Sequence, residues 1–182
     1  MKKIVVFAAY GTEEVEMLTV VDVLRRAGIE VTLVSAQNRG KILSSHNVSI
    51  DTDANFKDID LKDYDGLVVP GGLKGVENLR DNILLINALQ NFNEKGKMVA
   101  AVCAGPTVLG KAGILHGHKA TCFPGMDKEL NGADYKDEPV VVSDNIITGR
   151  GLGASIPFAL KIVSYLTDEK TAEKVKKEIA FY

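Results

Sequence analysis

Tryptophan is absent from this 182-residue chain, cysteine occurs twice and histidine three times. Two cysteines, Cys103 and Cys122, are too few for a disulfide framework, and no C-x-x-C pair occurs. No ligand cluster forms in the sequence around His46, His116 or His118, so no metal site is expected. Long apolar runs are missing too. The run from Ile4 to Ala9 is too short to cross a bilayer. Glu13, Glu14 and Glu16 follow it, where a signal peptide would need small residues for cleavage. Nor does either sign of charge dominate: 22 Lys and Arg stand against 24 Asp and Glu, a net charge of −2. No basic block offers a nucleic-acid groove or a membrane patch. These absences point to a cytoplasmic protein with no membrane partner and no specific nucleic-acid site. In that compartment the sequon Asn47-Val48-Ser49 carries no weight.

What the chain does have is a 46% hydrophobic composition, enough to bury the core of a single domain over 1–182. Apolar, β-branched runs recur at 3–9, 30–35, 65–69, 97–102, 139–143 and 145–148. Several are nearly continuous, as in strands buried on both faces. Amphipathic helices are expected between them at 14–27, 76–94, 106–112 and 153–166, with a charged helix at 168–180 and a small hairpin at 41–52. Repeated strand–helix–strand order predicts an α/β fold: a mostly parallel sheet with helices on both faces. Ligands of such sheets sit at the carboxyl ends of the strands.

At one such end the sequence reads Ala101-Val102-Cys103-Ala104-Gly105-Pro106. Small residues two positions either side of Cys103 make the small-x-nucleophile-x-small pattern of a nucleophile elbow, with cysteine as the nucleophile. Pro106 suits the first turn of a following helix. A helix N-terminus at the thiol is expected to lower its pKa, and nearby N–H groups can serve an oxyanion. The competing reading is a small buried cysteine ending a strand.

Glu16 lies on the apolar stripe of helix 14–27, in step with Val20, Val23, Leu24 and Ala27. An inward carboxyl is desolvated and holds its proton more tightly, so it can hydrogen-bond a thiolate or exchange a proton with a substrate. The alternative is an acid that merely complements the helix dipole. The Pro70-Gly71-Gly72 corner lets backbone approach a ligand closely beside Cys103. Gly149-Arg150-Gly151-Leu152-Gly153 reads as a tight turn rather than a phosphate loop; Arg150 would bind an anionic substrate or pair with a surface acid.

Taken together, Glu13-Glu14-Val15-Glu16, Arg25-Arg26-Ala27-Gly28, Val69-Pro70-Gly71-Gly72, the cysteine elbow and Gly149-Arg150-Gly151 resemble the ThiJ/PfpI superfamily. The likeness is to the branch of the Parkinsonism-associated protein deglycase and its bacterial relatives, and it spans almost the whole chain. It implies a flavodoxin-like three-layer sandwich, a homodimer and no cofactor. It further implies Cys103 as nucleophile and redox sensor, Glu16 as its hydrogen-bond partner, and Gly71, Gly72 and Ala104 as the lining of an anion pocket. The implied activities are deglycation of proteins or nucleotides and cofactor-free glyoxalase action on 2-oxoaldehydes, with a redox-regulated chaperone as alternative and a peptidase or amidase last. Phe123 stands where some relatives place a histidine beside the cysteine, which argues against a Cys-His dyad. His46 stands where some carry arginine near the pocket or dimer seam, and either substitutes for it or is a solvated loop residue. Cys122 is expected to be a buried or interface cysteine.

Overall fold

A computed structural model describes all residues, 1–182. The strands are β1 (Lys3–Ala8), β2 (Glu30–Ser35), β3 (Lys41–Leu43), β4 (Ser49–Asp51), β5 (Ala54–Asn55), β6 (Gly66–Val69), β7 (Met98–Val102), β8 (Lys119–Ala120), β9 (Asp134–Tyr135), β10 (Val140–Ser143) and β11 (Ile146–Gly149). The helices are α1 (Glu14–Arg26), α2 (Leu73–Arg80), α3 (Ile83–Glu94), α4 (Pro106–Lys111), α5 (Ser155–Leu166) and α6 (Glu169–Glu178). Seven strands form one sheet in the order β10-β11-β7-β6-β1-β2-β5, with every pairing parallel except β10 with β11.

The strands read as apolar runs because both faces of the sheet are covered. Alternate residues of β1 part company: Val5 and Phe7 enter one core with Leu79, Leu85, Leu89 and Leu109 of α2, α3 and α4. Ile4, Val6 and Ala8 enter the other, with Val20, Leu24, Phe158 and Ile162 of α1 and α5 and Val175 of α6. The expected three-layer α/β sandwich is thus the observed architecture.

The helix expected at 76–94 is two helices. Asn82 breaks it, its side-chain oxygen accepting from the Leu85 N–H at 3.2 Å while its amide donates to the Ala36 carbonyl at 2.9 Å. An N-cap side chain competes with helix continuation by offering the backbone another partner. The hairpin at 41–52 is present as β3 and β4, antiparallel. The short β5 edge strand and the β8–β9 pair carry no hydrophobic run long enough to announce them.

The chain runs from β1 outward to β2, then crosses back to β6 and β7 on the other side of β1. Loops leaving β1 and β6 therefore diverge, opening a crevice at their carboxyl ends. The β3–β4 hairpin closes one side of it, tied down by the Gly11 N–H to the Leu43 carbonyl at 2.8 Å and the Ser45 N–H to the Thr12 carbonyl at 2.9 Å.

Candidate active site

Cys103 follows β7 directly and has φ of +63°. A non-glycine residue in this region is strained by on the order of 1 kcal/mol, and the surroundings hold it there. The Cys103 N–H donates to the Gly149 carbonyl at 2.9 Å, and its carbonyl accepts from the Phe123 N–H at 2.8 Å. The small neighbour the elbow requires is visible at Gly105: a Cβ there would collide with the Val69 carbonyl and sit 2.9 Å from that of Val102. The turn aims the half-buried thiol into a cleft of 570 Å³.

Glu16, on the first turn of α1, is 1% exposed, and its Oε2 and the Cys103 Cβ both crowd the place a Cβ on Gly71 would take, which sets the carboxyl beside the thiol. Its Oε2 accepts from the Gly71 N–H at 2.9 Å, while Oε1 is buried without a hydrogen-bond partner. Burial pushes this carboxyl up to about 7; its bonds with Cys103 and Gly71 pull it down, and the nearby Glu13 charge adds to the rise. The thiol is pushed up to about 12, by burial first, then by the Glu16 charge and hydrogen bond, against the pull of the Ala104 and Gly72 N–H groups. This overturns the expected low thiol pKa. The elbow's N–H groups are present, but burial of the sulfur, and after it the neighbouring Glu16 carboxylate, outweighs them. Cys103 and Glu16 are therefore coupled, so the proton lost first and the one retained belong to the pair. In one of the pair's two arrangements the carboxyl carries the retained proton and the sulfur is a thiolate.

Gly72 and Ala104 line the cleft together with Cys103, and their N–H groups act to lower its pKa. Gly71 is a correction, because its N–H is committed to Glu16 and it orients the acid instead of lining the cleft. Arg150 also lies outside the cleft and pairs with Asp137 at 3.0 Å, the surface alternative. His46 is not in the lining either. Its Nδ1 lies 3.0 Å from Glu14 and 3.6 Å from Glu13, so it forms a patch on the hairpin side. The ligand atoms of Glu13, Glu14 and His46 fall within 4.8 Å of one another, a cluster that the sequence analysis did not expect. They come together because the hairpin docks on the α1 N-terminus, a contact invisible in the spacing. Ser45 joins them, its hydroxyl 2.7 Å from Glu13 Oε2. Although burial opposes it, Glu14 is held down to about 2 by hydrogen bonds from its own N–H, Ser45, Ser44 and the His46 N–H.

Cys122 is fully buried, as expected, and its thiol is pushed up to about 11 by burial and by Asp127 and Glu129. Phe123, half exposed, forms part of the cleft wall, and no histidine does. Sequence reasoning missed Tyr10, Ser44, Ser45 and Leu73, which line the cleft from two loops and the start of α2. Only Leu73, an apolar residue directly after the Gly-Gly corner, left a signal.

The DJ-1/PfpI family model matches residues 2–165. The chain belongs to the DJ-1/PfpI family. The zebrafish Parkinson disease protein 7 homolog is 39% identical over 179 residues, covering 96% of this chain and 95% of that protein. A Pyrococcus abyssi protein named a deglycase is 33% identical over 166 residues, 90% of this chain and 99% of its own. Among solved structures, Toxoplasma gondii DJ-1 in oxidized form matches with a TM-score of 0.95 and 32% identity, over 100% of this chain and 99% of its own. This DJ-1/PfpI-family chain thus shares the fold of the Toxoplasma protein and spans nearly the full length of these three relatives. No helix is long and apolar enough to cross a membrane.

Proposed function

We propose that this protein is a cysteine-dependent, cofactor-free glyoxalase and deglycase acting on 2-oxoaldehydes and on their early adducts with proteins or nucleotides. The observation that carries the reading is the Cys103–Glu16 unit at the cleft floor, with the Gly72 and Ala104 N–H groups converging on the sulfur. The Cys103 thiolate adds to the aldehyde carbon, and the oxygen of the resulting hemithioacetal takes up a proton. The two N–H groups steady the developing oxyanion. Glu16 removes the proton on that carbon and returns it to the neighbouring one, while the hemithioacetal hydroxyl proton passes to the former ketone oxygen, giving a thioester of the 2-hydroxy acid. Water cleaves the thioester, releasing lactate from methylglyoxal and regenerating the thiol. No external oxidant or reductant is consumed.

The test is lactate release from methylglyoxal by the wild type and Cys103→Ala, without glutathione or metal. Loss of at least about 100-fold in the variant is expected. Full activity in Cys103→Ala overturns the mechanism.

A second use of the same thiol is supported by the relative whose structure is described as oxidized. Successive peroxide molecules convert the Cys103 thiolate to sulfinate, each releasing water, and the Glu16 carboxyl and the two N–H groups hold the new oxygens. A redox-regulated chaperone role follows from this reading. Mass spectrometry after mild peroxide should show the gain at Cys103 and none at Cys122; an unmodified Cys103 counts against it. The homodimer belongs to this proposal as well. Val15 and Leu18 on α1 and Val48 beside β4 are exposed apolar side chains suited to self-association, which light scattering reads directly.

A further inference from the structure

From the walls of the cleft we infer that the enzyme favours 2-oxoaldehydes bearing an apolar substituent, aryl or branched alkyl, over methylglyoxal. The inference rests on the glyoxalase reading and adds its substrate class.

The cleft has a polar floor and an apolar mouth. Its floor holds Cys103, Glu16 and the Gly72 and Ala104 backbone. Around the opening stand Tyr10, Leu73, Phe123 and Leu152, at 46%, 70%, 50% and 48% exposure, with Met126 half-buried among them. Exposed leucine and phenylalanine are common one at a time, but several gathered on one concave surface mark a place where apolar surface is meant to be covered. Phe123 stands 3.6 Å from where a Cβ on Gly151 would lie, next to Leu152, so these two side chains form one wall. Leu73 and Tyr10 enter from the loops after β6 and β1.

The charges around the cleft point the same way. Lys74 is the sole cationic side chain of the lining, and its ammonium donates to Glu77 at 2.8 Å. Arg150, the guanidinium expected from the sequence to receive an anion, is held by Asp137 outside the cleft. Glu13 and Glu16 supply negative charge within it. Such a cleft repels carboxylate or phosphate on the distal end of a substrate and gains from burying a ring or a branched chain. A methyl group reaches little of the apolar wall; a phenyl ring on the same dicarbonyl head would reach it while the aldehyde carbon stays at the sulfur.

The experiment compares kcat/KM for phenylglyoxal, read as mandelate, with kcat/KM for methylglyoxal, read as lactate, in the wild type and in Leu73→Ser, Phe123→Ser and Leu152→Ser. The expected wild-type ratio is about 10 to 100 in favour of phenylglyoxal, the range that differences in apolar contact supply. It should fall about 10-fold in Phe123→Ser and in Leu152→Ser. A wild-type ratio of one or below overturns the inference, and so does a ratio that none of the variants moves. Cys103-dependent turnover of neither aldehyde defeats the glyoxalase reading itself. In that event the wall is read through the thiol: alkylation of Cys103 by N-phenylmaleimide against N-methylmaleimide, each normalised to a small free thiol. Faster phenyl labelling that is lost in Phe123→Ser sustains the apolar wall, and equal normalised rates overturn it.

Discussion

The Glu16 carboxyl on α1 sits beside the Cys103 thiol at the tip of β7, both withdrawn from solvent, so the first proton to leave belongs to the pair. Thiol reactivity should follow that first ionisation. The rate of Cys103 alkylation in the wild type is expected to rise through pH about 7 to a plateau. Glu16→Gln has no carboxyl proton to share, so its rate should rise only above the ordinary thiol range, about pH 8.5. Stopped-flow alkylation across pH checks this, and identical profiles would separate Glu16 from the thiol.

The same carboxyl ties stability to pH. Its folded pKa lies above its unfolded value, from 4.5 to about 7. The folded state therefore keeps a proton that the unfolded chain releases within that window. Unfolding free energy should fall as pH rises from 4.5 to about 7, by on the order of 3 kcal/mol from this group, the favourable contribution being intact only below 4.5. Glu16→Gln should flatten the slope. Denaturant titrations at fixed pH values provide the comparison.

Gly71→Ala should damage site and fold together. A Cβ at Gly71 would run into the Glu16 carboxylate and lie 2.7 Å from the Cys103 Cβ. One of the pair must move, and overpacking of this kind costs about 1–3 kcal/mol. Turnover should drop by at least about 10-fold even where the variant remains folded, because small misplacement at reacting groups is expensive. Activity and melting temperature measured on one preparation test both halves.

Asn82→Ala should behave in the opposite way. It removes the cap of α3 and the bond to the Ala36 carbonyl, neither of which lines the cleft. A loss of about 1–2 kcal/mol in stability is expected with kcat/KM unchanged. A matching loss of activity would show that the α2–α3 joint reaches the site.

Much of this was legible in the sequence for physical reasons. Buried parallel strands must be apolar on both faces, so β1, β2, β6 and β7 declared themselves, and an acid on the apolar stripe of α1 had to point inward. An elbow needs small flanks, which marked Cys103. What stayed hidden depends on contacts distant in sequence. Nothing near Gly71 says that its N–H will be taken by a side chain on another layer, nor that Asp137 will hold Arg150. The docking of the β3–β4 hairpin, which brings Ser45 and His46 to Glu13 and Glu14, is set by backbone bonds from Gly11 and Ser45 that no periodicity encodes. The thiol's pKa was misjudged because the helix N-terminus was weighed without the burial of the sulfur and the charge of its neighbour.

The floor of the cleft is built where main chain presses on main chain. A side chain at Gly72 would meet the Gly11 carbonyl and the Glu13 nitrogen, and one at Gly105 the carbonyls of Val69 and Val102. If the protein turns over aldehydes as proposed, directed evolution toward new ones will thus find its freedom at Leu73, Phe123 and Leu152, whose side chains border open solvent. The glycines beneath tolerate almost no exchange, so the chemistry is frozen while the choice of substrate is free to drift.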